Sequence, residues 1–143
     1  MQKKILKNFL ILIFIFFFGN KTFAAKGDGS GELKLSPMVV DYFIQYIRGE
    51  QFKFPAAFFV TLDGSDAVYW YCSEMTNCQS GSIVQDLATC LRVTGKECSR
   101  FARMRLIKWK NEINPGKGKI SRINSKWTDG EIRSHLKELG FID

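Results

Sequence analysis

The hydrophobic residues of the chain recur at helical spacing in two long segments. After Ser36 and Pro37, which favour a helix start, apolar side chains recur every three to four residues up to Gly49. Residues 82–93 show the same spacing and predict a second helix, with Cys90 on its apolar face. The chain is therefore expected to contain two amphipathic helices, separated by a segment of different character.

The segment between the two helices is rich in β-branched and aromatic residues and predicts a hairpin. Residues 57–62 and 67–72 would form its strands, and Asp63 and Gly64 between them are typical of a tight turn. A third strand is predicted over residues 99–109, where the side chains alternate between two faces. One of these faces would carry Phe101, Arg103, Arg105, Ile107 and Trp109.

The order helix, strand, strand, helix, strand predicts a small α+β domain over residues 36–110. Its sheet would have three strands, mostly antiparallel, with the helices on one face and disulfides as staples. The Gly-rich residues 25–35 predict a disordered lead-in, and residues 111–127 predict a basic flexible linker. Residues 128–141 predict a C-terminal helix, because a capping-box pattern precedes an apolar stripe. This helix could dock on its own domain or on a partner.

Residues 1–24 have the three-part pattern of a secretory signal peptide. A basic start precedes a short apolar run from Phe9 to Phe18, and small residues at Thr22 and Ala24 predict cleavage after Ala24. A membrane-spanning helix needs about 20 apolar residues, so the run favours a cleaved signal over an uncleaved anchor. The mature chain would be exported, to a bacterial periplasm or to the extracellular space, and would contain no transmembrane helix.

Removal of the signal peptide would change the charge of the chain. The full sequence has a formal net charge of +7, but its first 24 residues hold four lysines and no acid. Cleavage would therefore leave a mature chain of 119 residues with a net charge of +3. That length suits one small domain with a modest core.

The four cysteines are spaced Cys72-x5-Cys78-x11-Cys90-x7-Cys98. Structural zinc sites favour closer pairs, and the one histidine, His135, lies far along the chain, so no metal or other cofactor is indicated. In an exported protein this pattern predicts two disulfides. The favoured pairs are Cys72–Cys78 and Cys90–Cys98, and the alternative of Cys72–Cys98 with Cys78–Cys90 stays open.

The cysteines belong to a longer pattern of residues that ends in FARxRxIxW. It consists of Tyr71, Cys72, Cys78, Ala88, Cys90, Gly95, Cys98, Phe101, Ala102, Arg103, Arg105, Ile107 and Trp109. The pattern resembles a small four-cysteine module of exported bacterial proteins of unknown function. The C-terminal segment DGEIRSHLKELGF is similar to short helices appended to many bacterial proteins. Neither resemblance implies a catalytic residue.

Residues 100–126 form the most basic part of the chain, with nine basic residues and one acid, Glu112. The candidate binding residues are Arg103, Arg105, Lys108 and Trp109. We expect them to form a cationic strand face that binds an anionic envelope component or another exported protein. Nucleic acid is the least favoured partner because the chain is exported. The alternative is a solvated strand face whose charges resist edge pairing.

The sequence contains no recognisable catalytic set, because no nucleophile lies near a base and no C-x-x-C pair is present. We therefore expect a non-catalytic binding or interaction module of the cell envelope. The alternative is an accessory subunit or an enzyme with a pocket near Arg103 and Arg105.

Overall fold

The computed structural model describes residues 27–73 and 82–143, which form three helices and a four-stranded antiparallel sheet. The helices are α1 (Pro37–Arg48), α2 (Ile83–Thr94) and α3 (Asp129–Glu138). The strands are β1 (Lys53–Thr61), β2 (Ala67–Ser73), β3 (Cys98–Arg103) and β4 (Leu106–Ile107), in the order β2-β1-β3-β4. The predicted α+β class is confirmed.

Two predictions fall on residues that the structure does not describe. The signal peptide of residues 1–24 lies outside the described ranges, and so does Cys78. Within the described ranges, none of the helices has the length and apolar character needed to span a bilayer.

Helix α1 begins and packs as its sequence predicts. The Ser36 hydroxyl accepts a hydrogen bond from the Val39 amide, and Pro37 occupies the first helical position. The inward face of the helix, which includes Phe43 and Ile47, is buried against the sheet. Helix α1 is thereby the main cover of one sheet face.

The sheet has helices on both faces, whereas the sequence predicted one covered face. Phe58 and Val60 of β1 pack in a large core with α1 and α3, while Ala57 and Phe59 pack in a smaller cluster with Cys90 of α2. Strand β1 is apolar at consecutive positions, so both of its faces must be removed from water.

The predicted third strand is divided into β3 and β4 by a turn at Met104 and Arg105. A register shift between β1 and β3 also places the consecutive residues Phe101 and Ala102 in the same core. Because the predicted third strand is divided in two, the sheet has four strands instead of the predicted three. The register shift removes the simple alternation of faces that the sequence predicted, so Arg103 does not lie on the same side as Phe101.

The segment before α1 is packed on the sheet, in contrast to the disordered lead-in expected for residues 25–35. The Gly29 amide donates to the Arg100 carbonyl at 3.0 Å, and Asp28 pairs with the half-buried Arg100 side chain at 2.6 Å. Gly29 lies so close to the Trp109 indole that a Cβ atom would overlap the ring. The glycines of this segment permit close approach, which sequence composition alone does not distinguish from disorder.

The structure also differs from the flexible linker expected over residues 111–127. Asn114 and Ser121 are buried, and the Ser121 hydroxyl donates to Asn114 Oδ1 at 2.6 Å. Asn114 Nδ2 in turn donates to the Trp109 carbonyl at 2.6 Å. These bonds satisfy buried polar groups without help from a helix or strand, which is why the segment shows no periodic pattern.

Helix α3 docks on its own domain. Thr128 and Glu131 form the predicted capping box at its start. Ile132 and Leu136 are buried in the core that α1 also lines. This contact decides the question that the sequence left open.

A disulfide joins Cys90 of α2 to Cys98 at the start of β3. This bond is one of the two favoured pairs, and it excludes the alternative in which Cys98 bonds to Cys72. The second favoured pair includes Cys78, outside the described residues. None of the cysteines in the described ranges is a free thiol. A disulfide is compatible with an oxidising compartment.

Replacing both Cys90 and Cys98 with alanine is expected to lower the free energy of unfolding by about 2–3 kcal/mol, because the bond closes a short loop and restricts the unfolded chain. The two cysteines are 8 residues apart in sequence. Urea unfolding of the oxidised variant and of the unsubstituted protein measures the difference. A loss below about 1 kcal/mol would show that the bond is not a significant staple.

Candidate anion-binding site

Trp109, one of the four candidate binding residues, belongs to the core. It is 2 % exposed, and its indole Nε1 donates to the Gly31 carbonyl at 2.9 Å. The register shift before it and the turn at Met104 place Trp109 against Gly29 instead of on a solvated strand face. Its side chain is therefore not available to stack on a ligand.

The three candidate cations do not form one surface. Arg105 lies on the α1 side of the sheet, where its Nε donates to the Ile47 carbonyl at 3.3 Å. Arg103 is exposed and pairs across the sheet with Ala57, whose side chain packs on the α2 side. Lys108 is half-buried and lies outside the cavity described next. Of these three cations only Arg105 lines that cavity, and it lies in the turn between β3 and β4 instead of on a strand face.

Arg105 joins two other cations, Lys119 and Arg122, in a surface cavity of about 390 Å³. The cavity lies between the β3–β4 turn and the segment that follows β4. Its lining residues are Met104, Arg105, Lys119, Arg122, Ile123, Asn124 and Ser125. We call this the cationic cavity, because three of these side chains are basic and none is acidic.

Backbone hydrogen bonds fix the two walls of the cationic cavity to each other. The Ile123 amide donates to the Arg105 carbonyl at 2.8 Å, and the Ile107 amide donates to the Ser121 carbonyl at 2.8 Å. A turn closed by the Arg122 amide and the Lys119 carbonyl, 3.1 Å apart, carries the other two cations. The three cations therefore belong to backbone that is already ordered, which limits the conformational entropy lost when a ligand binds.

Tyr46 of α1 is hydrogen-bonded to the β3–β4 turn, which forms one wall of the cavity. Its phenol donates to the Met104 carbonyl at 2.7 Å. Burial raises the pKa of this phenol well above its usual value, although the nearby Arg105 guanidinium lowers it. The phenol therefore stays protonated at neutral pH and keeps its hydrogen bond to the β3–β4 turn.

The three cations of the cavity have no acidic partner within the described ranges. Six other lysine and arginine side chains in the described ranges pair with a carboxylate. They are Lys34, Arg48, Lys53, Lys96, Arg100 and Arg133. Within residues 27–73 and 82–143, no carboxylate lies within 4.0 Å of the charged groups of Arg105, Lys119 or Arg122. Their charges are available to an anion from solution.

Sequence reasoning counted Lys119 and Arg122 among the basic residues but placed them in a linker. The local signal was the density of basic residues after β4. The missing information was the pairing of Leu106 with Arg122, which brings the segment back onto the sheet. No spacing rule along the chain predicts that contact.

A larger groove of about 620 Å³ is a weaker candidate because its charges are balanced. It is lined by Lys34 and Lys110 together with Glu32 and Glu112, and Lys34 already pairs with Asp143. Opposite charges in one groove leave little net field to attract an ion.

Three comparisons with known proteins found no match. The chain matches no protein-family model, no curated protein and no solved structure. Within the described residues, no group of three histidine, cysteine, aspartate or glutamate side chains is placed to hold a metal ion.

Proposed function

We propose that this protein is an exported, non-catalytic binding module of the bacterial cell envelope, and that its cationic cavity binds an anionic group. The observation that carries the proposal is the convergence of Arg105, Lys119 and Arg122 without an acidic partner in the described residues. Like charges brought together repel each other, so their convergence is favoured when an anion occupies the space between them.

The chemistry of the lining favours a phosphate or carboxylate group. An arginine guanidinium offers planar pairs of N–H donors that match such groups, and a lysine ammonium adds a point charge. Asn124 and Ser125 add polar groups to the same wall, and Met104 and Ile123 add apolar surface. Five of the seven lining residues are therefore polar or charged, which favours a ligand whose main recognised feature is its negative charge.

Export is supported by two features of the chain. One is the disulfide between Cys90 and Cys98, which is compatible with an oxidising compartment. The other is the signal-peptide pattern of residues 1–24. The resemblance of the cysteine pattern to modules of exported bacterial proteins points to the same compartment, and we place the protein in the periplasm.

A binding role is favoured over an enzymatic one by the side chains that line the cavity. None of the seven lining residues is an aspartate, glutamate, histidine or cysteine. These are the side chains that most often act in general acid–base catalysis, and the cavity's other groups are not arranged as a recognised pair of nucleophile and base. The lining is therefore better suited to holding and orienting an anion than to transforming it.

The proposal is tested by charge reversal at the cavity, with glycerol phosphate as the probe. The Lys119→Glu/Arg122→Glu variant should bind glycerol phosphate at least about tenfold more weakly than the unsubstituted protein, because it loses two charge-assisted contacts. Isothermal titration calorimetry on the oxidised, exported protein at low ionic strength measures both affinities.

The matched control is the Lys117→Glu/Lys126→Glu variant. It changes the net charge by the same amount within the same segment, but neither residue lines the cavity and both are exposed. We expect it to retain most of the affinity. Equal losses in the two variants, or no binding by the unsubstituted protein, would overturn the proposal.

A further inference from the structure

Large apolar side chains are exposed around the cationic cavity. Met104 is 52 % exposed and precedes Arg105, and Ile120 is 50 % exposed between Lys119 and Arg122. Phe52, which is 67 % exposed, precedes Lys53 at the start of β1. Each of these apolar residues is thus a direct neighbour of a basic residue in the sequence.

The topology of the sheet brings these residues to one end of the molecule. Strand β1 starts where the antiparallel strand β3 ends, and the Met104 amide donates to the Ala56 carbonyl at 2.9 Å. Phe52 precedes Ala56 by four residues, which corresponds to about 13 Å of extended chain. Ile120 lies in the turn that packs beside β4. We call this region, with the cavity and these three apolar residues, the cavity end.

The backbone presents two of these side chains in a conformation that such residues rarely adopt. Phe52 has φ +60° and Met104 has φ +50°, so both lie in the left-handed region. Each lies in a tight turn, closed by Glu50 and Lys53 in one case and by Arg103 and Leu106 in the other. Glycine or asparagine would fit these positions with less strain. Neither side chain is buried in the core, so packing does not offset the backbone strain. A contact with another molecule explains better why apolar residues occupy these two positions.

We propose that the cavity end binds the surface of a bilayer that contains anionic phospholipids. The headgroup phosphate would enter the cationic cavity, and Phe52, Met104 and Ile120 would insert into the boundary between headgroups and acyl chains. Exposed apolar side chains alternating with lysine and arginine are the pattern that interfacial binding requires. This inference rests on the proposed function, because it identifies the anionic group as a lipid headgroup.

Charge and pattern favour a bilayer over a protein as the occupant. The central part of a protein interface is depleted in charge and has contiguous apolar contacts. At the cavity end Met104 and Ile120 are each next in sequence to a cation that lines the cavity, and within the described residues these cations have no acidic partner. Lys53, beside Phe52, pairs with Glu50. A negatively charged bilayer surface, into which single side chains can insert, complements the cavity end better than a protein surface does.

Vesicle co-sedimentation of the oxidised, exported protein tests the inference. We expect binding to vesicles of phosphatidylglycerol and phosphatidylcholine, and at least about tenfold weaker binding to pure phosphatidylcholine or in high salt. The Phe52→Asn/Met104→Asn variant should bind the anionic vesicles about tenfold more weakly. Asparagine tolerates the left-handed conformation, so the variant should fold at least as stably.

The control variant is Val84→Gln/Val93→Gln, which removes two equally exposed apolar side chains from α2. Val84 is 67 % exposed and Val93 is 64 % exposed. Vesicle binding of this variant should match that of the unsubstituted protein. Equal effects of the two variants, or binding that is indifferent to lipid charge, would overturn the inference.

Binding of glycerol phosphate separates failure of this inference from failure of the proposed function. The Phe52→Asn variant, which leaves all seven lining residues of the cavity in place, should bind glycerol phosphate as well as the unsubstituted protein. If the unsubstituted protein binds glycerol phosphate but not anionic vesicles, the bilayer inference falls and the anion-binding proposal stands. If it binds neither, both fall.

Discussion

Replacing Trp109 with alanine is expected to lower the free energy of unfolding by about 3–5 kcal/mol, because it removes a large buried side chain. Trp109 is 2 % exposed and also donates a hydrogen bond to the Gly31 carbonyl. A loss of this size is a large part of the about 5–15 kcal/mol that stabilises a typical domain. Urea unfolding followed by circular dichroism measures it.

The Trp127→Ala variant is the control for this prediction. Trp127 is half-buried and packs against the His135 ring at the edge of the core, so its loss should cost less than half as much. If Trp109→Ala destabilised the protein no more than Trp127→Ala, the assignment of Trp109 to the core would be wrong, and a role on a ligand-binding face would have to be considered again.

Replacing Gly29 with valine is expected to lower the free energy of unfolding by about 3 kcal/mol, the upper end of the usual cost of overpacking, because the added side chain meets a buried ring. Any Cβ atom at this position would overlap the Trp109 indole, which cannot move because it is enclosed by the core. The segment before α1 would then leave the sheet, and the pair of Asp28 and Arg100 would be lost.

Hydrogen exchange locates the damage in this variant. The amides of Gly31 and Lys110 join the N-terminal segment to the sheet and should lose protection first. The control is Gly130→Ala in α3, where the nearest atom to an added Cβ is Thr128 Oγ1 at 4.0 Å and alanine is the better helix former. A Gly29→Val protein as stable as the Gly130→Ala protein would contradict the packing described for the N-terminal segment.

The parts of the fold that the sequence predicted correctly are those encoded by neighbouring residues. Ser36 and Pro37 start α1, and Thr128 with Glu131 starts α3, because capping depends on side chains within three positions. The β1–β2 hairpin follows from the same kind of local chemistry at Asp63, whose carboxylate accepts hydrogen bonds in the turn. Lys96, Ser65 and Thr61 hold the pKa of this carboxyl well below its usual range.

The parts that the sequence did not predict depend on contacts between distant residues. The register shift beside Phe59 and the turn at Met104 redirect the predicted third strand, and neither leaves a periodic trace. The segment from Asn111 to Lys126 resembles a linker in composition because its buried groups are single polar side chains, Asn114 and Ser121. The cationic cavity is formed by the turn at Met104 and by the segment after β4. Its three cations could therefore not be brought together from the sequence alone.

The cavity end combines two features that stability alone would not favour. Arg105, Lys119 and Arg122 converge without a described acidic partner, and Phe52 and Met104 hold exposed apolar side chains at positive φ. Departures from local preference of this kind concentrate at functional sites. Their occurrence at one end of the sheet is the reason for assigning function to that end.

Amide chemical-shift mapping by NMR tests the central claim most directly. Isotope-labelled, oxidised protein would be titrated with glycerol phosphate at low ionic strength. We predict that the largest changes occur at Arg105 and at residues 119–125, with little change along α2 on the opposite face, and that they disappear in the Lys119→Glu/Arg122→Glu variant. Shifts confined to α2 or to the larger groove near Lys110, or no saturable shift at all, would contradict the assignment of the cationic cavity as an anion-binding site.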